Sequence, residues 1–387
     1  MVQAVVDADE ATRALRAAHS GFYLSSKTIS VGLIGPGVVG GTLLDQIERR
    51  AERLVEEFNL DIRVRAIARS KSMLLGDRRI DLADWKTRFA ADAEDIDWDR
   101  FEAHVNPDHL PHAVIIDCTA SADVAARYGG WLRRGIHVIT PHKKALSDSY
   151  AYYKELMADS KQGSAHYLYE TTVGAALPVI TTLRDLVDTG DSIRSIEGIF
   201  SGTLAYLFNV YDGSVPFSEI VRTAKESGYT EPDPRDDLSG MDVARKLTIL
   251  ARENNMPLEI SEFPVENLVP EHLRDVSVDE FLDRLNEIDD DFAKRYEAAE
   301  RANRRLRYVA RLGDDGSASV GLVEVDADHP FANINLTDNI VQFQTSRYSA
   351  NPLVIQGPGA GPEVTAGGVF GDLLRLAKYL SAGAWND

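Results

Sequence analysis

A dense run of charged residues occupies positions 230–246, which read TEPDPRDDLSGMDVARK. The second half of this run predicts a helix that begins near Gly240 and carries Asp242 and Lys246 one turn apart. On that helix both charges fall on the same apolar arc as Val243 and are expected to face the core. A buried charge is costly unless it is paired. The pair is therefore a structural ion pair or part of a site for a polar ligand, and a solvated acidic loop is the remaining alternative.

A second candidate is the sequence GPGVVG, which lies between a predicted strand and a predicted helix. Gly35, Gly37 and Gly40 give the spacing G-x-G-x-x-G, in which the glycines allow a tight turn and close approach of a pyrophosphate. The N–H groups of Val38 and Val39 open the helix and could bind phosphate oxygens. The alternative is a tight strand-to-helix turn without a ligand.

Cations stand at two further strand ends. The residues after the second predicted strand are ARSKS, so Arg69 and Lys71 replace the acidic residue that usually binds the ribose hydroxyls. Cations there favour the 2′-phosphate of NADP. The segment PHKKALS places Lys143 and Lys144 after a later strand, at the edge of the sheet where open α/β folds bind ligands. Lysine differs from arginine in that its pKa can fall far enough for proton transfer, although two solvated lysines remain the simpler interpretation.

The elements that position these residues alternate along the chain. Strands are predicted at 28–35, 62–68, 113–119 and 136–140, and a long helix is predicted at 41–58. This alternation is typical of a doubly wound parallel sheet. The fold class is therefore α/β, with a Rossmann dinucleotide-binding domain and a second, α+β domain.

Composition limits the classes of function. The chain has 387 residues, 44% of them hydrophobic, and a formal net charge of −19, which disfavours nucleic acid and anionic membranes as partners. It contains no run of about 20 apolar residues and no signal-peptide pattern, so a cytoplasmic location is expected. Cys118 is the only cysteine, which excludes an intrachain disulfide.

Several segments together resemble those of homoserine dehydrogenases. They are, in chain order, GLIGPGVVG, DCTAS, TPHKKA, YETTVGAALPVI, EGIFSGTLAYLFN, ESGYTEPDPRDDLSGMDVARK and GPGAGPEVTAGGVFGDLL. The likeness runs from about residue 29 to residue 380, and the GYTEPDPRDDLSGMDVARK block is its most specific part. Residues 1–28 resemble, more faintly, the linker before this module in bifunctional aspartokinase–homoserine dehydrogenases.

The resemblance implies NAD(P)-dependent interconversion of L-aspartate 4-semialdehyde and L-homoserine in threonine, methionine and isoleucine biosynthesis. By matching positions, Glu231, Asp237 and Asp242 would bind the substrate through its ammonium group. Lys246 would donate a proton to the nascent alkoxide, and Lys144 would polarise the carbonyl and contact the cofactor.

The resemblance also implies further cofactor contacts and a cation site. Thr119, Gly228 and Gly361 would line the nicotinamide side. A sodium ion would be held by the side chain of Glu170 and the backbone carbonyls of Val173, Ala175 and Leu177. From sequence alone, Glu170 could instead be an ordinary acidic residue near the start of a helix.

The expected organisation is an N-terminal extension at 1–28, a Rossmann domain at 29–165 plus 355–387, and a substrate-binding and dimerisation domain at 166–354. A homodimer is expected from the resemblance. Two other functions stay open at this stage. One is a non-catalytic NADP-sensing module. The other is a different semialdehyde dehydrogenase, which would need Cys118 as its nucleophile, although that residue lies in a strand that looks buried.

Overall fold

The chain groups into two units in a computed structural model that describes Ala11 and residues 27–382. The first unit comprises Met1–Ala145, Ala151–Thr172 and Pro362–Asp387, and the second comprises Leu146–Tyr150 and Val173–Gly361. The N-terminal extension predicted at 1–28 lies outside the described residues except for Ala11, Lys27 and Thr28.

The first unit is built on a seven-stranded sheet in the order β4-β3-β2-β1-β5-β6-β7. Its strands are β1 (Lys27–Ile34), β2 (Leu60–Ala68), β3 (Ser72–Leu75), β4 (Glu94–Asp95), β5 (His112–Asp117), β6 (His137–Ile139) and β7 (Tyr167–Leu168). Its helices are α1 (Val38–Phe58), α2 (Trp85–Asp92), α3 (Trp98–Val105), α4 (Ala122–Ala125), α5 (Tyr128–Arg133), α6 (Lys144–Ser147), α7 (Tyr150–Gln162) and α15 (Pro362–Ala382), although the segment 146–150 groups with the second unit.

The strands β2, β1, β5, β6 and β7 run parallel, whereas β3 and β4 pair antiparallel. The central strands are continuous apolar runs because both faces of the sheet are covered. Helices α1 and α15 pack together over the β1 side of this core, which contains Leu33, Leu44 and Leu373. Helix α1 ends where Asn59 adopts a left-handed conformation, with φ 51°. The α/β class and the parallel sheet predicted from the sequence are confirmed.

The second unit contains an antiparallel five-stranded sheet in the order β10-β9-β8-β11-β12. Its strands are β8 (Ile193–Ile199), β9 (Arg304–Gly313), β10 (Ala318–Asp326), β11 (Asp338–Thr345) and β12 (Leu353–Pro358). Its helices are α8 (Val179–Asp188), α9 (Gly202–Val210), α10 (Phe217–Glu226), α11 (Pro234–Leu238), α12 (Met241–Glu253), α13 (Val278–Arg284) and α14 (Asp289–Arg301). A compact apolar cluster that includes Ile199, Val309, Val325 and Ile340 joins four of these strands.

The limits of the units differ from the predicted domain limits at two places. The strand β12 was expected to belong partly to the nucleotide-binding domain from residue 355, but it pairs along its whole length with β11 of the second sheet. Similarly, β7 lies beyond residue 165 and pairs with β6 of the first sheet. Both differences arise because a strand's partner is set by distant residues rather than by its own sequence.

Within residues 27–382, no helix combines the length and the apolar character that a membrane crossing requires.

Candidate active site

The glycine turn between β1 and α1 is shaped by two glycines for packing and by a third that packing does not require. Gly35 has φ +83°, and a Cβ there would lie 2.6 Å from the methyl group of Thr119. A Cβ on Gly40 would lie 2.3 Å from the carbonyl oxygen of Gly35. By contrast, a Cβ on Gly37 would meet no atom within 4 Å. The open space therefore lies at the first turn of α1, where a pyrophosphate can approach the backbone.

No side chain of the described residues caps α1, and no acidic residue stands in its first turn. The N–H groups of Val38, Val39 and Gly40 therefore begin the helix without a competing carboxylate. Free N–H groups and the positive end of the helix dipole both favour an anion. The first turn of α1 therefore fits the diphosphate of a dinucleotide.

Beyond β2, Arg69 is exposed, and its guanidinium lies 4.8 Å from the ring centroid of Phe89. Its backbone N–H donates to the carbonyl of Ser72 at 2.8 Å, which closes the turn into β3. Lys71 is also exposed in this turn. The stacking on Phe89 limits the guanidinium's freedom, and the exposed edge remains available to a phosphate.

A hydrogen-bonded group lies at the carboxyl ends of β5 and β6. Asp117 accepts from the Thr119 N–H at 2.8 Å and from the hydroxyl of Tyr128 at 2.5 Å. Burial, reinforced by the charge of Asp117, raises the pKa of Tyr128, so this hydroxyl remains a donor. Lys144 begins α6, is exposed, and donates from Nζ to the carbonyl of Ala120 at 3.3 Å. Thr119 and Lys144 therefore stand at the ligand-binding edge of the first sheet.

Cys118 does not have the properties of a catalytic nucleophile. It packs against the core of the first unit, and burial, with a smaller effect of Asp117, raises the pKa of its thiol. A nucleophilic cysteine needs the opposite shift, because the thiolate is the reactive form. The alternative of a cysteine-dependent semialdehyde dehydrogenase loses its required residue.

Glu170 is buried in the first unit, and its N–H donates to the Asp372 carboxylate at 3.1 Å. The other oxygen of Asp372 lies 3.0 Å from Arg375. Burial raises the pKa of Asp372 to about 7, and the nearby Glu170 adds to this shift while Arg375 opposes it. The backbone of Glu170 is therefore fixed by the C-terminal helix α15.

The segment after Glu170 forms a tight turn at the start of the second unit. Gly174 and Ala175 adopt consecutive left-handed conformations, with φ 79° and 52°. The turn is closed by the Leu177 N–H, which donates to the Gly174 carbonyl at 3.0 Å. A left-handed alanine is strained and is kept where a particular backbone path is required. Val173 is buried immediately before the turn.

The described residues contain no cluster of three or more His, Cys, Asp or Glu side chains that could hold a metal ion. A site made of one carboxylate and several backbone carbonyls does not need such a cluster, because hard cations such as sodium accept any oxygen ligand.

Lys246 is the central side chain of the candidate site in the second unit. Only 9% of its side chain is exposed, and Nζ lies 2.8 Å from an Asp242 carboxylate oxygen. Nζ also donates to the carbonyl of Phe200 at 2.6 Å. Asp242 does not face the core as expected, since 44% of its side chain is exposed. The two residues pair one turn apart, but the shorter aspartate reaches the surface while the long lysine stem extends inward.

The start of α12 depends on a glycine. Gly240 is the N-cap residue with φ +71°, and a Cβ there would lie 1.9 Å from the hydroxyl oxygen of Tyr308. That hydroxyl donates to the carbonyl of Glu266 at 2.5 Å. Both conformation and space therefore require glycine here, and the helix that carries Lys246 begins where the sequence predicted.

Besides Asp242, which pairs with Lys246, two further carboxylates interact in this region. The N–H of Glu231 donates to Asp237 at 2.8 Å, and Glu231 itself is exposed. Burial raises the pKa of Asp237 to about 6, and the charges of Glu231 and Asp242 add to the shift. Carboxylates that repel one another in this way are stabilised when a cation binds between them.

Gly228 and Gly361 lie at open positions of the second unit. Gly228 has φ +74° after α10, Gly361 has φ +110° before α15, and a Cβ on either would meet no atom within 4 Å. Neither glycine is explained by packing alone. Two groups that the sequence did not indicate are the carbonyl of Phe200, which accepts from Lys246, and the buried amide of Asn339, which donates to that carbonyl at 3.2 Å. Their strand-like surroundings gave no signal of a role.

Comparison with known proteins decides the family. Residues 178–374 match the family model described as homoserine dehydrogenase, and residues 35–170 match that of its NAD binding domain. The chain belongs to the homoserine dehydrogenase family. The resemblance proposed from the sequence motifs is confirmed.

Relatives in this family differ in length. The homoserine dehydrogenase of Schizosaccharomyces pombe is 41% identical over 368 residues, which cover 92% of this chain and 98% of that protein. The chloroplastic bifunctional aspartokinase/homoserine dehydrogenase 1 of Zea mays is 51% identical over 383 residues, covering 98% of this chain but 41% of that protein. The chain thus spans about two fifths of the length of its bifunctional plant relatives.

A solved structure shares the architecture of this homoserine dehydrogenase family member. A Candida auris protein of unknown function is 38% identical and superposes with a TM-score of 0.85. The match covers 92% of this chain and 99% of that one.

Proposed function

We propose that this chain catalyses the reversible, NAD(P)-dependent oxidation of L-homoserine to L-aspartate 4-semialdehyde. The observation that carries the proposal is the nearly buried Lys246, held by Asp242 and the Phe200 carbonyl beside a cluster of carboxylates. This arrangement combines a proton donor with a receptor for a cationic substrate. Membership in the homoserine dehydrogenase family supports the choice of substrate.

The carboxylates Glu231, Asp237 and Asp242 receive the substrate ammonium, because together they form an anionic pocket with one suppressed charge. In the reductive direction Lys246 donates a proton to the oxygen that becomes the hydroxyl, and in the oxidative direction it takes that proton back. Lys144 polarises the aldehyde carbonyl. The nicotinamide cofactor, when bound, accepts or supplies the hydride.

The cofactor site uses the backbone of Gly35, Gly37, Val38, Val39 and Gly40 for the diphosphate. Thr119, Lys144, Gly228 and Gly361 are assigned to its nicotinamide side. We assign Arg69 and Lys71 to the 2′-phosphate, which gives NADP the higher affinity, while NAD remains a usable cofactor. The exposed guanidinium stacked on Phe89 supports this choice.

A sodium site is proposed at Glu170 and the carbonyls of Val173, Ala175 and Leu177. The left-handed pair at 174–175 supports it, because a backbone that curls in this way can turn carbonyl oxygens toward one ion. The ion's contribution is to hold the turn, and it takes no part in hydride or proton transfer.

Pathway, oligomeric state and location are proposed together with the reaction. The chain acts in threonine, methionine and isoleucine biosynthesis, functions as a homodimer and is cytoplasmic. The second unit supplies the substrate site, and the first unit supplies the contacts to the diphosphate and the 2′-phosphate of the cofactor.

An absorbance assay tests the reaction. Adding L-homoserine to the protein with NADP is expected to produce reduced nicotinamide at a rate proportional to protein concentration. The matched control replaces Lys246 by alanine. Binding of NADPH without any turnover of homoserine would instead support a non-catalytic NADP-sensing module.

A further inference from the structure

The side chain of Asn339 on β11 is buried in the second unit with 0% exposure. Its amide nitrogen donates to the carbonyl of Phe200 at 3.2 Å. Its amide oxygen has no hydrogen-bond partner among the described residues. The side chain is therefore only half satisfied, and the donor end is the half that makes a bond.

The carbonyl that Asn339 contacts is the one that holds Lys246. Lys246 Nζ donates to the Phe200 oxygen at 2.6 Å, so the two donors share one acceptor. A carbonyl oxygen has two lone pairs and can accept both bonds at once. Phe200 lies immediately after β8, the strand that pairs with β11, so the amide reaches it across the sheet.

The fold makes room for this amide at a cost. An unpaired buried amide oxygen is unfavourable, whereas an apolar side chain would leave no polar group unsatisfied. The backbone at Gly359 packs closely against the amide, since a Cβ on Gly359 would lie 2.0 Å from Asn339 Cγ. A residue whose side chain carries these costs and touches one partner of Lys246 is a candidate for a functional role.

We propose that Asn339 is a positioning residue for Lys246: it fixes the Phe200 carbonyl, which in turn fixes the lysine nitrogen that transfers the proton. The proposal rests on the proposed function of Lys246. Asp242, on the same helix, fixes the nitrogen from a second direction, and Asp237 is electrostatically coupled to Asp242. Two groups therefore hold Lys246 Nζ, the charged Asp242 carboxylate and the neutral Phe200 carbonyl. Asn339 fixes the second of them.

Two variants separate positioning from packing. Asn339→Asp keeps the shape but places an acceptor against the Phe200 oxygen, and Asn339→Leu removes the donor. If Asn339 positions Lys246, both variants lower kcat for homoserine oxidation by about tenfold with little change in KM, since one positioning hydrogen bond is lost. If the residue only fills space, the folded variants keep the wild-type kcat, even where the buried carboxylate of Asn339→Asp lowers the unfolding temperature. The control is Thr345→Val, because Thr345 is equally buried on β11 and its hydroxyl donates to Asp191 at 2.7 Å.

The pH profile provides the second readout. The positive end of the amide lies against the carbonyl that accepts from the lysine, and its removal stabilises the ammonium form. The acidic limb of the homoserine oxidation profile, where activity falls as Lys246 becomes protonated, is therefore expected to move to higher pH in Asn339→Leu and further in Asn339→Asp. Thr345→Val is expected to leave the profile in place.

Thermal unfolding of each variant establishes that it is folded before kinetics are compared. Unchanged kcat and an unmoved profile in folded Asn339→Asp would overturn the proposal, as would equal effects in Thr345→Val. Failure of the proposed function is a separate result, because the wild-type protein itself would then not oxidise homoserine.

Discussion

Between Gly35 and Gly40 the chain offers backbone N–H groups and empty space, whereas between Glu231 and Lys246 it offers charged side chains. In the first region, glycines remove side chains so that a ligand can approach the main chain. In the second, burial and repulsion tune side chains so that they respond to a cation and a proton. From this difference we expect the glycine turn to bind the cofactor through its backbone and Lys246 to transfer the proton.

The largest effect on turnover is expected from a substitution of Lys246. Lys246→Ala removes the proposed proton donor and is expected to lower kcat by about 10²- to 10⁴-fold. Arg245→Ala, at the preceding position of the same helix, serves as the control and is expected to keep near-normal turnover. Steady-state kinetics with homoserine and NADP measure both, and near-normal turnover in Lys246→Ala would contradict the assignment.

Two substitutions in the glycine turn separate an effect on folding stability from an effect on cofactor binding. Gly40→Ala forces a Cβ against the Gly35 carbonyl and is expected to cost about 1–3 kcal/mol of folding free energy. Gly37→Ala meets no atom, so its unfolding temperature is expected to stay within a few degrees of wild type while NADP affinity falls about tenfold. Thermal unfolding without cofactor and NADPH titration give the two values. Unchanged NADP affinity in Gly37→Ala would show that the open space is not the diphosphate site.

Arg69 differs from the glycine turn because its side chain, not its backbone, is proposed to bind the cofactor. A charge-assisted hydrogen bond to phosphate contributes about 1.5–3 kcal/mol, so Arg69→Ala is expected to weaken NADP binding at least about tenfold. Affinity for NAD is expected to stay unchanged, since NAD lacks the phosphate. Equal dissociation constants for NADP and NAD in the wild type would mean that Arg69 does not contact the ribose phosphate.

The smallest expected effect is the pH dependence of substrate binding at Asp237. Its pKa is raised to about 6, so the carboxylate is charged above this pH and neutral below it. As pH falls through about 6, the pocket loses a negative charge, and KM for homoserine is expected to rise severalfold. Asp237→Asn is expected to flatten this dependence at the higher KM. A wild-type KM that is constant from pH 5 to pH 7.5 would place the ammonium elsewhere.

Most elements of the first unit can be predicted from local sequence patterns. The strand, turn and helix around Gly35 follow from apolar runs and glycine spacing, which are properties of neighbouring residues. The start of α12 near Gly240 is likewise predicted, from Ser239 followed three residues later by Asp242, although Gly240 itself is the N-cap residue.

Features that depend on distant partners could not be predicted. The exposure of Asp242 depends on which elements cover α12, and the place of β12 depends on its pairing with β11. The bond from Asn339 to the Phe200 carbonyl joins residues far apart in sequence. Such contacts come from tertiary packing, which periodicity does not encode.

The division of labour between the two regions is tested most directly by titrating NADPH into Lys246→Ala and following the change in nicotinamide fluorescence. If the first unit supplies binding and Lys246 supplies the proton, the variant binds NADPH with the wild-type dissociation constant while its turnover of homoserine is lost. A large loss of NADPH affinity in the folded variant would contradict the account, because Lys246 would then belong to the cofactor site.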